Sequence, residues 1–351
     1  MGAVLVIGGR GYYGAAVVRV LERLPEVTVR VASRRAGVAL DLGDPATFAA
    51  MDEHDVVINC ADSVGAPPDE AARHVLARGG TFIDMGADAP AVERLLSLAT
   101  GTNEPPRGRV IVGAGVFPGL STALARRVHE LAGDDTVELG VRLSPLSGAG
   151  KANCDLMMAM LELPSIRFED GARVTGPPLG PAVPLPFAGR RRAASLVGLP
   201  DAALIHRVTG ARNVRTYLAV VPGFLRLNFG LLVGMFTLLS RAPPLRAALR
   251  WMVSGSLWLM RAVLLRGVSS RLELTAIAGR GTPRELARTL EFDDGQEAVA
   301  LGAAAVVARA LERGDSLPTG VYAVPERFSL AELLAVIEGI TGRQVRGDGL
   351  L

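Results

Sequence analysis

Ala3-Val4-Leu5-Val6-Ile7-Gly8-Gly9-Arg10-Gly11-Tyr12-Tyr13-Gly14 is the stretch that decides the fold. Its first five residues are an unbroken apolar run, the pattern of a central parallel strand covered on both faces. Gly9, Gly11 and Gly14 follow in G-x-G-x-x-G spacing. Ala15 to Leu24 then reads as a helix, with Val17, Val18, Val20, Leu21 and Leu24 as its apolar positions. Each glycine has a physical task. Gly9 permits the tight turn, Gly11 lets backbone come close to a pyrophosphate, and Gly14 lets the helix pack against the strand. Backbone N–H groups at the helix start face the anion, favoured by the helix dipole. Such a triplet alone is equally a structural turn. Here it lies between an apolar strand and a helix and leads to a second strand at 27–32, so Gly8 through Gly14 are read as a dinucleotide-binding turn, Arg10, Tyr12 and Tyr13 included.

The second strand ends at Ala32-Ser33-Arg34-Arg35. An NAD site commonly carries Asp or Glu here, to hold the ribose 2′-hydroxyl. A hydroxyl from Ser33 and guanidinium groups from Arg34 and Arg35 suit a 2′-phosphate instead. The expected cofactor is therefore NADP(H); an ordinary solvated arginine pair is the plainer alternative. Asp41 and Leu42 come next, where such folds touch the adenine.

Three more apolar runs, 54–61, 81–86 and 109–115, read as strands, and helical patterns fill the gaps at 69–78 and 89–100. Strands alternating with helices give an α/β class, a Rossmann doubly wound parallel sheet with ligands at the carboxyl ends of the strands. The loops at Asn59–Ser63, Asp84–Asp88 and Ala114–Gly119 should then border the cofactor. Cys60, Ala61, Asp62, Ser63, Gly86, Ala114, Gly115 and Phe117 are the candidate contacts. The last of these loops belongs at the nicotinamide end; its plainer reading is a β-to-α turn capped by Ser121.

A chain of 351 residues can bury two cores. The expected division is a nucleotide-binding domain over 1–124, an α/β substrate or dimerisation domain with its own sheet over 125–300, and a segment over 301–351 that returns to the first domain. A net charge of +3 and 5% aromatic residues give nucleic-acid binding little support. The two cysteines, Cys60 and Cys154, lack metal-ligand spacing, and no His/Cys/Asp cluster suggests a metal. No charged segment precedes the first strand, so a cytoplasmic protein without a secretory signal is expected. There is no G-x-S-x-G elbow, no P-loop and no Tyr-x-x-x-Lys pair.

An apolar helical segment spans 224–266. Residues 227–240 carry no charge, Pro243-Pro244 interrupts, and 251–260 are again uncharged. Neither stretch reaches the ~20 residues of a spanning helix. A buried helical pair or dimer interface, the wall of a pocket for an apolar substrate, and a surface touching a membrane are the three readings. Burial or a pocket ranks ahead of membrane contact. Trp251 and Trp258, seven apart, share one helix face.

A reductase must orient its substrate and often supply a proton. Lys151, the only lysine, and Tyr217 are the candidates; a solvated turn residue and a structural strand residue are the alternatives. His206 and the run Arg190-Arg191-Arg192 are weaker ones, the run being by default a solvated loop.

The glycine turn, Val57-Ile58-Asn59-Cys60, Phe82-Ile83-Asp84 and Gly115-Val116-Phe117-Pro118-Gly119-Leu120-Ser121 together resemble the saccharopine dehydrogenase-like family of NADP-binding oxidoreductases. Leu143–Gly150, Asp294-Gly295-Gln296-Glu297-Ala298 and Pro318–Glu326 are similar too, whereas 160–290 matches loosely. Where the family commonly has Gly-Pro after the cysteine, this chain has Ala61-Asp62-Ser63. The resemblance implies NADP(H), a second domain with its own sheet, and a homodimer. Three functions stay open. One is an NADPH-dependent reductase of a C=C or C=N bond in a rather apolar small molecule. The second is a C–N dehydrogenase acting on an amino-acid or polyamine conjugate. The third is a non-catalytic NADP-binding sensor or membrane-associated scaffold. The apolar segment favours the first.

Overall fold

The computed structural model describes residues 2–34, 37–61, 63, 65–100, 105–144, 154–155, 157–158, 162–221, 225–263 and 271–348. The chain divides into two compact units, Met1–Ala123 with Glu297–Val345, and Leu124–Gln296 with Arg346–Leu351.

In the first unit the apolar runs become parallel strands: β1 (Gly2–Ile7), β2 (Val27–Ser33), β3 (Val38–Ala39), β4 (Val56–Asn59), β5 (Thr81–Asp84) and β6 (Arg109–Val112). Val4, Leu5 and Val6 are wholly buried, as a strand covered on both faces requires. Helix α1 (Tyr12–Leu21) starts earlier than the apolar spacing predicts. Its N-cap is Gly11, so Tyr12, Tyr13 and Gly14 form its first turn. Helix α2 (Asp69–Arg78) opens on two acids and stops at Gly79, φ 89°. Helix α3 (Ala89–Ser97) is capped by Asp88, whose carboxylate accepts from Ala91 N at 3.1 Å. Helix α4 (Leu120–Ala132) leads out of the unit.

The second unit holds a mixed sheet built from β7 (Thr136–Leu143), β8 (Ser165–Glu169), β9 (Ala172–Gly176), β10 (Ala182–Phe187), β11 (Arg190–Leu196), β12 (Asn213–Val220), β13 (Leu272–Ala278) and β14 (Leu286–Phe292). Its order is β10-β11-β12-β7-β13-β14, with β8 against β12 and β9 against β8. Only β7 and β12 run parallel. Leu185, Phe187, Leu196, Tyr217 and Ile277 form a core on one face. Arg190, Arg191 and Arg192, expected in a loop, instead open β11. They pair with Phe187, Pro186 and Leu185 across a hairpin and point to solvent. Helix α5 (Asp201–Thr209) ends at Gly210, φ 70°.

Helices α6 (Leu225–Leu238) and α7 (Pro243–Val263) carry the apolar segment. Phe236 and Leu249 are buried against Met158 and Val220. The expectation of a buried pair fails for the rest: Leu231, Met235, Leu238, Leu245, Trp251, Met252, Trp258, Leu259 and Val263 are exposed. The reason is that the inward face of α7 is occupied by its own polar side chains, described below.

The chain then returns to the first unit. Helix α8 (Gly295–Arg313) is alanine-rich and buried along Ala298–Val307. Strand β15 (Gly320–Ala323) joins β6 in parallel, completing the order β15-β6-β5-β4-β1-β2-β3. Helix α9 (Leu330–Thr341) starts with a reciprocal Ser329/Glu332 capping box.

Candidate nucleotide site

The strand order of the first sheet reverses between β1 and β4. At such a switch point the two βα loops diverge and leave a crevice at the strand ends. The glycine turn sits on it. Gly8, φ 73°, donates from its N to Ala32 O at 3.1 Å and accepts from Gly11 N at 2.8 Å. A Cβ on Gly8 would stand 2.9 Å from Ala61 N, so the loops after β1 and β4 touch backbone to backbone. A Cβ on Gly9 would meet Val31 at 2.9 Å, and one on Gly14 would meet Gly8 O at 2.2 Å. At Gly11, among the described residues, a Cβ would meet Gly8 O at 3.2 Å. Three of these glycines are filled by the protein itself. Gly11 is the exposed one, at the amino end of α1, where no side chain caps the turn. An exposed helix start with uncapped backbone N–H groups fits a pyrophosphate. Arg10 is exposed, and the rings of Tyr12 and Tyr13 meet edge to face with centroids 5.1 Å apart.

Ser33 closes β2 and Arg34 follows it, exposed to solvent. Arg35 and Asp62 lie outside the described residues. Asp41 is engaged by its own turn: its carboxylate accepts from Gly43 N at 3.0 Å, and its backbone N donates to Thr47 Oγ1 at 3.0 Å. Leu42 is buried. Both are occupied in shaping the 41–47 turn.

The ends of β4, β5 and β6 are tied through Asp84, which the sequence reading placed at a strand end without giving it a role. Asn59 and Asp84 are partners in the register of β4 and β5, and neither side chain reaches solvent. Asn59 Nδ2 donates to Asp84 Oδ1 at 2.7 Å, and Asn59 Oδ1 accepts from Ala61 N at 3.1 Å. The other Asp84 carboxylate oxygen accepts from Gly86 N at 3.0 Å, and its carbonyl accepts from Gly113 N and Ala114 N. Burial pushes the Asp84 carboxyl up to about 6, against the opposing pull of the Asn59 and Gly86 hydrogen bonds. Burial and the Asp84 charge push the Cys60 thiol up as well. The sequence did contain a pointer: each of these polar residues terminates an otherwise apolar strand.

Ser63 is buried beside Gly86, and its hydroxyl has no hydrogen-bond partner among the described residues. A buried hydroxyl left without a protein partner is one a ligand can satisfy. In the third loop, Gly115 N donates to Pro118 O at 3.0 Å and Ser121 N to Val116 O at 2.8 Å. Ala114 is fully buried, and Phe117 is half-buried. Helix α8 approaches so closely that a Cβ on Gly302 would stand 2.7 Å from Gly115 O. The loop is thus pinned from behind.

Of the two candidates for proton transfer, Lys151 lies outside the described residues. Tyr217 is in the core of the second unit, where its hydroxyl donates to Glu138 at 3.1 Å. Burial first, and the Glu138 charge second, push this phenol up to about 12. Glu138 is in turn held by Arg280 and Arg215. The proton of Tyr217 is committed to that network. His206 stacks on Phe168 at 4.0 Å and bonds to Ala211 O through Nδ1.

The family model of the NAD dependent epimerase/dehydratase family matches residues 4–78, from β1 to the end of α2. Among solved structures, apo saccharopine dehydrogenase (L-Glu forming) from Saccharomyces cerevisiae aligns with a TM-score of 0.63 at 14% identity, over 99% of each chain. The chain has the saccharopine dehydrogenase fold. An engineered D-amino acid dehydrogenase bound to NADP+ and C. glutamicum DAP dehydrogenase in complex with DAP each align at a TM-score of 0.47 and 14% identity, over 94% of this chain and 95% of theirs. No curated protein matches by sequence.

Proposed function

We propose that the protein is an NADPH-dependent oxidoreductase that reduces a C=C or C=N bond in a rather apolar small molecule. The exposed, uncapped helix start at Gly11, in a turn whose other glycines are more tightly packed, is the observation that carries the nucleotide site. The bound nicotinamide would supply the hydride. The chain's own residues do the rest: Gly11 and the amino end of α1 receive the pyrophosphate, and Ser33 and Arg34 face the 2′-phosphate. The Asn59–Asp84 pair fixes the loops that carry Ser63, Gly86 and Ala114.

Against an amino-acid conjugate as substrate stands the employment of five of the second unit's arginines. Arg142, Arg215, Arg246, Arg250 and Arg280 are all paired with carboxylates of the chain. They are not waiting to grip a substrate carboxylate.

The test is a side-by-side titration of NADPH and NADH against the wild type and Arg34→Ala. A lost charge-assisted phosphate contact corresponds to roughly tenfold to hundredfold in affinity. NADPH should bind the wild type more tightly by that factor, and Arg34→Ala should level the two. Equal binding of both nucleotides by the wild type would sink the NADP assignment, and binding of neither would sink the oxidoreductase reading.

A further inference from the structure

Helix α7 is built inside out. Its inward side carries Arg246, Arg250, Ser254 and Arg261 among Leu249, Val253 and Leu257. Arg246 and Arg250 both pair with Glu162, the latter at 2.6 Å. Ser254 bonds to Asp155, and Arg261 Nη1 lies 3.1 Å from Cys154 Sγ, buried. The opposite side presents Leu245, Trp251, Met252, Trp258, Leu259 and Val263, all exposed. On α6, Leu231, Met235 and Leu238 continue the surface, with Leu238 81% and Trp251 74% exposed. A helix at a water boundary turns its polar side chains outward. Single exposed apolar residues are ordinary, but nine on one helical pair mark a surface that meets something other than water.

We infer that the outer face of α6 and α7 docks in the plane of an anionic phospholipid surface. Three observations select this occupant. Residues 225–263 contain five arginines and no Asp or Glu, and two of the arginines share one carboxylate, Glu162, so the helical pair keeps a basic excess that complements anionic headgroups. A second copy of the same face would bring like charge against like. The only two tryptophans of the chain are both on the patch and exposed, and indoles favour the headgroup boundary. Among the described residues no helix is long and apolar enough to cross a membrane, which leaves contact parallel to the surface. The ionic pairs of the inner face then fasten the pair to the protein while the apolar side enters the lipid boundary. This inference stands independently of the nucleotide reading.

Because both tryptophans lie on the face, the emission of the unmodified full-length protein reports on it directly. It should shift to shorter wavelength on adding vesicles of phosphatidylcholine with phosphatidylglycerol. It should also be quenched when the acyl chains carry bromine, and the protein should sediment with the vesicles. Raising the salt concentration should weaken the association. The double variant Trp251→Ser, Trp258→Ser should lose about a hundredfold in vesicle binding, judged by sedimentation, with its circular dichroism and thermal midpoint retained because both sites are exposed. Unchanged emission with the protein left in the supernatant would overturn the inference. So would indoles hidden by self-association in a concentration-dependent oligomer. Equal binding to uncharged vesicles would overturn the anionic part of it.

Discussion

Helices α1 and α7 are both amphipathic, and they are turned opposite ways round. Helix α1 buries Gly14, Ala16, Val17, Val20 and Leu21 and leaves Arg19 outside. Helix α7 buries Arg261 and Ser254 and leaves Trp251 and Met252 outside. Apolar spacing alone cannot tell these cases apart, because it reports that a helix has two faces and not which one meets the protein. The orientation is decided by what the opposing surface offers. For α1 that is an all-apolar strand. For α7 it is Glu162, Asp155 and Cys154, which accept guanidinium and hydroxyl groups.

The largest expected effect lies on the α1 side. A Cβ at Gly14 would stand 2.2 Å from the backbone oxygen of Gly8, and backbone on both sides leaves nothing flexible to yield. Gly14→Ala should destabilise the first unit by about 4 kcal/mol or more, read as a fall in denaturation midpoint together with lost nucleotide binding. Gly11→Ala should separate the two: its Cβ meets Gly8 O at 3.2 Å, tight but far short of the conflict at Gly14, so the midpoint should fall much less than for Gly14→Ala while NADPH affinity falls. If Gly11→Ala binds NADPH as the wild type does, the pyrophosphate does not approach that turn.

This pair of glycines also marks how far the residues could be read. The alternation of apolar runs with helical patterns located β1, β2, β4, β5 and β6 but not the two-residue β3, and the spacing of Gly9, Gly11 and Gly14 located the turn. Position alone did not reveal that Asp41 would be engaged by its own turn or that Leu42 would be buried. Those outcomes depend on Thr47 and on packing several residues away. Tyr217 was singled out for its chemistry, yet its environment is set by Glu138, 79 residues earlier in the chain. Asn59 and Asp84 could be seen as polar strand ends, but their meeting depends on the register of β4 and β5. Such partnerships are long-range, and local pattern does not encode them.

Two buried carboxylates allow the comparison to be sharpened by pH. Asp84 has no cationic partner among the groups that shift it, and burial, with smaller contributions from the Asp69 and Asp88 charges, raises its carboxyl to about 6. At Glu162 burial also opposes ionisation, but Arg250 and Arg246 outweigh it and hold the carboxyl below its usual value. The linkage signs are therefore opposite. The stability contributed by Asp84 is fully present below its unfolded value of 3.8 and is lost as pH rises through about 6. That from Glu162 is present above its unfolded value of 4.5 and is lost as pH falls through its depressed folded value. Relative to the wild type, Asp84→Asn should thus gain up to about 3 kcal/mol between the acid and neutral ends of this window. Glu162→Gln should cost about 2 kcal/mol at neutral pH, less than a fully enclosed pair because its arginines reach solvent, with the cost shrinking in acid. Thermal midpoints of both variants across this pH range check the signs; parallel curves would show that the two sites do not differ in the way their partners imply.

The smallest effect is the most discriminating. Met252 is 55% exposed on the outer face of α7, whereas Val17 is wholly buried under α1. Val17→Ala removes buried methyl groups and should cost about 2 kcal/mol. Met252→Ser removes a larger apolar side chain from a mostly exposed site, so its cost in dilute buffer should stay within about 0.5 kcal/mol. A cost at Met252 matching that at Val17 would mean that the outer face of α7 is already covered in the free protein, by a second copy of the chain. A negligible cost in buffer, joined to weaker association with anionic vesicles, would locate the missing cover outside the protein. The same side chain would then be dispensable for folding and required for attachment.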